Sequence, residues 1–377
     1  MLTISAIDVI SLRLPMKQNF VISGGSVGST ASGAPHIYVR ITGSNGISGW
    51  GEARPSPRWS YETPETVIAA IESYWKPRLL DQGAEDINRL HRLMDKELAG
   101  SMHPGHPIAR AAVDTALHDL LAQSRQLPLA ALWQSVPASP LYLSYLISTD
   151  SPAQAAQKAR EAKAQGYRGV DVKIGLHKLR DVEILEAVKQ EAPDLFFRVD
   201  ANQAYTLKQA AALARQMERI GVDVFEQPMQ AGQLTAHREL RGKTSIPIAL
   251  DESIWSPSGL LEAIRTEACD TVVIKLTKMG GLRNAKLCGE LAREAGLGLL
   301  GGGLTESKLG FTASAHLFKY LEIAEPVDLN GPFFLADDPV EGEWPVTEGE
   351  VILPEDRTGL GCRIDADKLN HYGDQRR

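Results

Sequence analysis

From about residue 140 onward, short β-rich runs alternate with amphipathic helices, and this rhythm restricts the possible folds more than any other feature. The runs cover 141–148, 169–175, 195–202, 223–228, 246–253, 270–277 and 296–303. Repeated strand–helix units predict a parallel sheet with right-handed crossovers. Seven or more such units close most simply as a barrel, and an open, doubly wound sheet is the competing topology. No G-x-G-x-x-G sequence follows the first run, so we favour the barrel.

The first third of the chain follows a different pattern. Alternating apolar and polar residues predict strands, and Thr63 and Pro64 are typical of a helix start after them. The predicted strands cover 4–14, 36–43 and 46–53, and the main predicted helices cover 63–75 and 106–123. Strands followed by helices indicate an α+β unit that precedes the barrel.

A segment rich in glycine and serine, 22–35, separates the first two predicted strands. Its residues are too small and polar to pack well, so we expect a mobile loop. The loop is either a plain connector or a lid over a site.

Charge and composition exclude several classes of protein. The chain has 40 Lys and Arg against 47 Asp and Glu, a net charge of −7 without a basic run, so we expect neither a nucleic-acid partner nor attraction to anionic membranes. No apolar stretch reaches the roughly 18–20 residues of a membrane span, and the N-terminus does not look like a signal peptide. Three scattered cysteines fit a reducing compartment, so we expect a cytoplasmic protein.

A charged residue lies at or near the carboxyl end of each of six successive runs, and these residues are 24 to 31 positions apart. In a parallel barrel all strand carboxyl ends open on one face, so these side chains are expected to meet at one mouth. They are Lys173, Asp200, Glu226, Asp251, Lys275 and Glu306.

Three carboxylates, Asp200, Glu226 and Asp251, come from three consecutive runs. Neighbouring anions repel each other unless a cation joins them, and an all-oxygen ligand set favours Mg²⁺ or Mn²⁺ over zinc. The alternative is that these charges are merely solvated at strand ends. We favour the metal site because the three are in register and each is followed by a polar residue, such as Asn202.

Lys173 and Lys275 lie on either side of this acidic arc. A lysine that is partly desolvated beside a bound cation has a lowered pKa and can exchange protons at neutral pH. Two such lysines would face opposite sides of a substrate whose enediolate the metal stabilises. The alternatives are structural ion pairs or Schiff-base chemistry, and the latter does not explain the carboxylates.

These segments together resemble the enolase superfamily and, within it, the muconate-lactonizing subgroup. The motifs that carry the resemblance are DVKIG, RVDAN, FEQP, ALDES, VIKLTKMGGL and GGGLTESKLGFTASAHLF, and the resemblance covers nearly the whole chain. It implies a modified TIM barrel, (β/α)₇β, with an α+β capping domain, and usually a homo-oligomer. It assigns Asp200, Glu226 and Asp251 to the metal, Lys173 and Lys275 to acid–base catalysis, and Glu306 to the lining of the site.

The domain limits expected from this resemblance are 1–133 for the capping domain and 134–349 for the barrel, with a tail of about 350–377 that packs back on the capping domain. Substrate choice is expected to depend on the capping loops. One loop surrounds Ser23 and the other, 54–62, includes Tyr61, and we include both residues with Asn202 among those that line the site.

The sequence departs from the family pattern at three places. Many members have Lys-x-Lys on the second strand, but Asp171 takes the first position here, and an acid there is expected to raise the pKa of Lys173 if it lies close and is charged. The segment GGGLTES has no histidine, which argues against the mandelate-racemase branch. Asn330 stands where dipeptide-specific relatives have a second aspartate, so a dipeptide substrate is less favoured.

The resemblance therefore implies an isomerase that forms a metal-stabilised enolate from a small carboxylate. Muconate cycloisomerase-like chemistry is favoured. The alternatives are a racemase or epimerase of amino acid derivatives, such as N-acyl amino acids or hydroxyprolines, and a dehydratase of acid sugars or hydroxy acids. A non-catalytic carboxylate-binding barrel and a Schiff-base aldolase are the rival classes.

Overall fold

The computed structural model describes residues 2–100, 105–134, 139–353 and 357–373. The first part forms an antiparallel sheet covered by helices. Its strands are β1 (Ile4–Leu14), β2 (Phe20–Ile22), β3 (Gly25–Gly28), β4 (Ala34–Gly43) and β5 (Ser48–Ala53). Its helices are α1 (Pro64–Ala69), which continues as a π-helical turn (Ala70–Trp75), α2 (Lys76–Leu79), α3 (Ile87–Glu97), α4 (Pro107–Ser124) and a 3₁₀ helix (Leu129–Trp133).

Small residues let the sheet and its main helix approach closely. The strand order is β1-β4-β5, and β5 lies directly against α4. A Cβ at Gly51 would lie 2.0 Å from the carbonyl oxygen of Ala112, and one at Gly49 would lie 2.2 Å from that of Ala116. Glycine on the strand is therefore required for this contact, because a side chain there would meet helix backbone.

The second part is a curled parallel sheet with helices around it, as the strand–helix rhythm predicts. Its strand order β12-β11-β10-β9-β8-β7-β6 follows the chain without a switch, so the open doubly wound topology is excluded. The strands are β6 (Ser144–Ser148), β7 (Gly169–Lys173), β8 (Phe196–Asp200), β9 (Val224–Glu226), β10 (Ile248–Leu250), β11 (Thr271–Ile274) and β12 (Gly298–Gly301). The helices are α5 (Pro152–Ala164), α6 (Asp181–Glu191), α7 (Leu207–Ile220), α8 (Leu234–Arg241), α9 (Pro257–Arg265), α10 (Leu282–Glu294), α11 (Lys308–Tyr320) and α12 (Gly331–Phe334).

A short eighth segment joins the two edges of this sheet. Val327 pairs with Leu143, just before β6, and Asp328 pairs with Gly302, just after β12. The backbone N–H of Asp328 donates to the carbonyl of Gly301 at 3.0 Å. The arrangement matches the expected (β/α)₇β barrel beside an antiparallel capping domain.

The segment 22–35, expected to be a mobile loop, is partly a hairpin formed by β2 and β3. The Phe20 ring stacks on Phe334 with centroids 4.2 Å apart, and the Ser148 hydroxyl donates to the carbonyl of Val21 at 3.0 Å. Apolar residues next to the glycine–serine run therefore anchor a segment that its own composition would leave loose.

The last described elements are β13 (Val346–Thr347), β14 (Glu350–Val351) and α13 (Ala366–His371). The β13–β14 pair lies against the barrel, where the N–H of Leu143 donates to Gly349 and that of Val351 to Leu141, whereas 357–373 returns to the first domain. The backbone N–H of Arg13 in β1 donates to Tyr372, and the N–H of Leu129 donates to Gly359. These contacts fit the predicted return of the tail, although 354–356 and 374–377 lie outside the described residues and the domain limits stay a prediction.

None of the helices in the described part of the chain combines the length and the apolar character that a membrane crossing needs.

The glycine contact between β5 and α4 gives a direct stability test. We expect Gly51→Ala to lower the free energy of unfolding by at least about 1–3 kcal/mol, because its methyl group meets rigid helix backbone. Gly232→Ala is the control, since its added Cβ has no atom of another described residue beyond its chain neighbours within 4 Å, and it should change stability by less than about 0.5 kcal/mol. Urea unfolding of both variants measures the difference; equal stabilities would contradict the close packing.

Candidate active site

The strand register brings the predicted residues to one end of the barrel. Lys173 pairs with Asp200, and Asp200 pairs with Glu226, at the carboxyl ends of β7, β8 and β9. Asp251 and Lys275 directly follow β10 and β11. All five are at most 5% exposed. Parallel pairing thus collects, at one mouth, side chains that lie far apart in sequence.

Lys173 is surrounded by carboxylates. Its Nζ lies 2.8 Å from Asp171 Oδ2, 2.8 Å from Asp200 Oδ2 and 3.2 Å from Asp328 Oδ2. Burial alone would lower the pKa of Lys173, but these carboxylates outweigh burial and hold its pKa well above the ordinary value. The expected effect of Asp171 on Lys173 is therefore confirmed.

Asp251 binds two lysines, of which sequence reasoning identified one. Its Oδ2 accepts from Lys275 Nζ at 2.6 Å, and its Oδ1 accepts from Lys278 Nζ at 2.8 Å. Lys278 also donates to the backbone carbonyl of Asp251. The available signal was the second lysine of KLTKMGG, one helical turn after Lys275.

Arg198 is the second residue that sequence reasoning missed. It is fully buried in β8, its Nε donates to Glu226 Oε2, and the same Nε lies 3.7 Å from Asp171 Oδ2. Its Nη1 donates to the carbonyl of Gly301 at 2.9 Å. The signal was its position two residues before Asp200, which puts both side chains on the inner face of the strand.

The pKa shifts indicate an excess of negative charge at the mouth. Burial, with the charges of Asp251 and Asp200, raises the pKa of Glu252 to about 8. Burial alone would lower the pKa of Lys275, but Asp251 and Glu226 outweigh it and raise this pKa. As the side chains stand, the carboxylates that face the ammonium groups raise the pKa of both lysines, and the lowering expected beside a bound cation stays a prediction.

As the side chains stand, the residues that the structure describes include no group of three His, Cys, Asp or Glu side chains gathered to hold a metal ion. The physical reason is that cations already occupy carboxylate oxygens: Asp200 is paired with Lys173, Glu226 with Arg198, and Asp251 with two lysines.

Other observations show that these residues nevertheless fit a divalent cation. Among the residues that the structure describes, the buried Glu226 Oε1 finds no hydrogen-bond partner. The mouth cluster comprises six carboxylates (Asp171, Asp200, Glu226, Asp251, Glu252 and Asp328) and four cations (Lys173, Arg198, Lys275 and Lys278), all buried. The carboxylates outnumber the cations, so a bound dication would offset negative charge that the cations leave uncompensated, including the charge that raises the pKa of Glu252. An oxygen donor set of this kind suits Mg²⁺ or Mn²⁺.

A cavity opens beside this cluster. Capping-domain and barrel residues both line it: Phe20, Ile22, Val27, Ser56, Trp59, Lys173, Asp200, Asn202, Lys275, Gly303, Leu304, Thr305, Asp328 and Asn330. Both predicted catalytic lysines therefore reach one space under the β2–β3 hairpin.

The remaining predicted site residues take different positions. Asn202 lines the cavity, and its carbonyl accepts from the Ser23 hydroxyl at 2.8 Å, so Ser23 fastens the hairpin to the barrel. Tyr61 is 54% exposed and packs on Trp255 outside the set of lining residues. Glu306 is buried behind Gly303, where burial and then Glu52 raise its pKa to about 7. Roles for Tyr61 and Glu306 in substrate binding stay predictions.

Comparisons with known proteins agree with this geometry. Residues 154–368 match the family described as "Enolase C-terminal domain-like", and residues 7–133 match the "Mandelate racemase / muconate lactonizing enzyme, N-terminal domain". The chain belongs to the enolase superfamily, in its muconate-lactonizing group. The family recognition and the fold drawn from the sequence are thus confirmed.

Three enzymes that are similar to this chain illustrate the activities found among its relatives. Chloromuconate cycloisomerase of Pseudomonas putida is 31% identical over 380 residues, covering 98% of both chains. The crystal structure of N-succinyl Arg/Lys racemase from Bacillus cereus is 29% identical, covers 98% of both chains and has a TM-score of 0.92. Dipeptide epimerase from Enterococcus faecalis, complexed with Mg and L-Leu-L-Tyr, is 28% identical, covers 96% of this chain and 99% of its own, and has a TM-score of 0.88. Cycloisomerases, racemases and epimerases are all isomerases, so the predicted enzyme class is confirmed.

The buried ion pairs beneath the mouth give a second stability test. We expect Arg198→Met to lower the free energy of unfolding by about 3–5 kcal/mol, because it leaves Glu226 without its buried cation and removes one of the two cations that face Asp171. In Arg160→Met, the loss of an exposed pair with Glu191 should cost at most about 1 kcal/mol. Urea unfolding in EDTA compares the two variants, and a similar cost for both would contradict a supporting role for Arg198.

Proposed function

We propose that this enzyme removes and returns a proton at the carbon next to the carboxylate of a small substrate, through an enolate. The observation that carries the proposal is that Lys173 and Lys275, from opposite sides of the acidic arc, line one cavity. Relatives that are racemases, epimerases and cycloisomerases support it, since all of them are isomerases of the same superfamily.

Asp200, Glu226 and Asp251 are proposed to hold Mg²⁺ or Mn²⁺, as the Mg-bound dipeptide epimerase suggests by similarity. The bound ion supplies Lewis-acid stabilisation of the negative charge that develops on the substrate carboxylate.

The two lysines divide the proton transfers between them. When Asp251 serves as a metal ligand, its charge no longer favours the ammonium form of Lys275, whereas Asp171 and Asp328 still face Lys173 after Asp200 has become a ligand. One lysine then takes the proton as a neutral amine, and the other returns a proton from the opposite side. Such a transfer inverts the carbon, which favours a racemase or epimerase.

The residues that line the cavity limit the class of substrate that can bind. The lining contributed by the hairpin, Phe20, Ile22 and Val27, is apolar. Within the described lining, the cationic side chains are the two lysines, and the nearby Arg54 is held by the carbonyls of Pro55 and Val27. We therefore propose a carboxylate whose far end is uncharged, such as an N-acylated amino acid.

Cycloisomerisation is the second candidate, and the surroundings of Lys173 favour it. Three carboxylates hold Lys173 as an ammonium, which is the form that would protonate the enolate after a substrate carboxylate has added to a double bond. The 31% identity to chloromuconate cycloisomerase supports the same assignment. The dehydratase alternative, the homo-oligomeric state and the cytoplasmic location stay predictions.

Single lysine variants test the proton transfers. In D₂O with Mg²⁺, a panel of muconates, N-acylated amino acids and hydroxyprolines reports lactone formation, deuterium uptake and water loss. We expect Lys173→Ala and Lys275→Ala each to lower turnover by at least about 100-fold while still exchanging the α-proton of one enantiomer. The exposed control Lys163→Ala should keep full turnover. Full turnover in either cavity variant would remove that lysine from the mechanism.

Metal removal tests the ligand assignment. We expect EDTA to abolish turnover and Mg²⁺ or Mn²⁺ to restore it, and calorimetry to detect Mg²⁺ binding to the wild type that is lost in Asp251→Asn. The exposed control Asp194→Asn should bind like the wild type. Turnover that is insensitive to EDTA, or unchanged binding in Asp251→Asn, would refute the assignment.

A further inference from the structure

The two cavity lysines are held in different ways. Lys173 is fixed by three carboxylates, all of which come from the barrel. Lys275, among the described residues, has one carboxylate partner, Asp251, and lies with its Nζ 5.0 Å from the centroid of the Trp59 ring. Trp59 belongs to the capping domain, in the loop between β5 and α1.

The Trp59 ring is well suited to hold an ammonium group. An indole face attracts a cation within about 6 Å of the ring centroid, and the attraction is larger where water is excluded. Lys275 is 4% exposed, and both side chains line the same cavity. Asp251 is also a proposed metal ligand, so Trp59 is the contact of Lys275 that does not compete for the metal.

A second indole supports Trp59 from the barrel side. The rings of Trp59 and Trp255 lie 5.2 Å apart, and Trp255 Nε1 donates to the carbonyl of Glu252 at 2.7 Å. The Trp59 backbone N–H donates to Ser56 at 2.9 Å. The ring is thus oriented by its own loop and by the strand end that carries Asp251.

We propose that Trp59 is a positioning residue for Lys275: its ring holds the ammonium group towards the cavity and covers it against water. The consequence for catalysis rests on the proposed function: the proton transfer by Lys275 depends on the capping domain, and the transfer by Lys173 does not.

Chemical labelling tests the contact without any substrate. Brief treatment with acetic anhydride, followed by peptide mass spectrometry, measures the acetylation of each lysine. We expect Trp59→Leu to increase acetylation of Lys275 by about 2- to 30-fold and to leave Lys173 unchanged, with Trp59→Phe in between. Trp133→Leu, which removes a half-buried indole elsewhere, should change neither lysine. Equal labelling of Lys275 in the wild type and Trp59→Leu would overturn the proposal.

Deuterium exchange tests the consequence for catalysis. The test uses an enantiomeric pair of N-acylated amino acids whose α-protons the wild type exchanges for deuterium. Trp59→Leu should slow α-proton exchange in the enantiomer that depends on Lys275 by about 2- to 30-fold, and Trp59→Phe should restore part of that rate. The enantiomer that depends on Lys173 should be unaffected. An equal loss on both enantiomers would overturn the positioning role. If the wild type exchanges no member of the panel, the proposed function fails, and labelling alone decides the role of Trp59.

Discussion

The compensation of buried charge at the barrel mouth is the constraint on which the rest of this structure depends. A parallel sheet brings the carboxyl ends of its strands to one edge, so carboxylates placed there repel each other out of reach of bulk water. Lys173, Arg198, Lys275 and Lys278 offset that repulsion by direct contacts. The same contacts keep the proposed acid–base groups beside the proposed ligands, so stability and chemistry depend on one set of side chains.

Buried carboxylates also hold the capping domain on the barrel. Glu52, in β5, accepts from the backbone N–H of Ser307 at 2.9 Å and of Gly310 at 2.8 Å, at the start of α11. Burial alone would raise the pKa of Glu52, but hydrogen bonds from His36 and Ser307 outweigh it and lower this pKa. A charged carboxylate there is favoured by the positive end of the helix dipole. Because α11 follows residues that line the cavity, this contact sets the position of the capping domain over the candidate active site.

Sequence reasoning predicted the elements and site residues that local patterns encode, but it missed those that depend on tertiary contacts. The strands, the barrel and the charged strand ends follow from periodicity, and the register then brings Asp200 and Glu226 side by side. Arg198 and Lys278 were missed because their positions near Asp200 and Lys275 place them by the site but do not reveal the carboxylates that they meet, which come from other strands. Segment 22–35 was expected to be loose because its residues are small and polar, and that composition does not reveal the anchors of the β2–β3 hairpin, Phe334 and Ser148, which are distant in the chain. The placement of Tyr61 depends on ring contacts with Trp255, which loop composition does not encode.

The return of the tail to the first domain affects how the protein is made. Leu12 of β1 pairs with Gly373, and the N–H of Leu360 donates to Asp119 of α4 at 2.8 Å. During translation the segment that carries β1 and α4 leaves the ribosome long before residues 357–373 exist. The capping domain thus emerges before the barrel but completes these contacts only after the barrel has been synthesised. Until then the surfaces of β1 and α4 that bind the tail stay uncovered and open to aggregation.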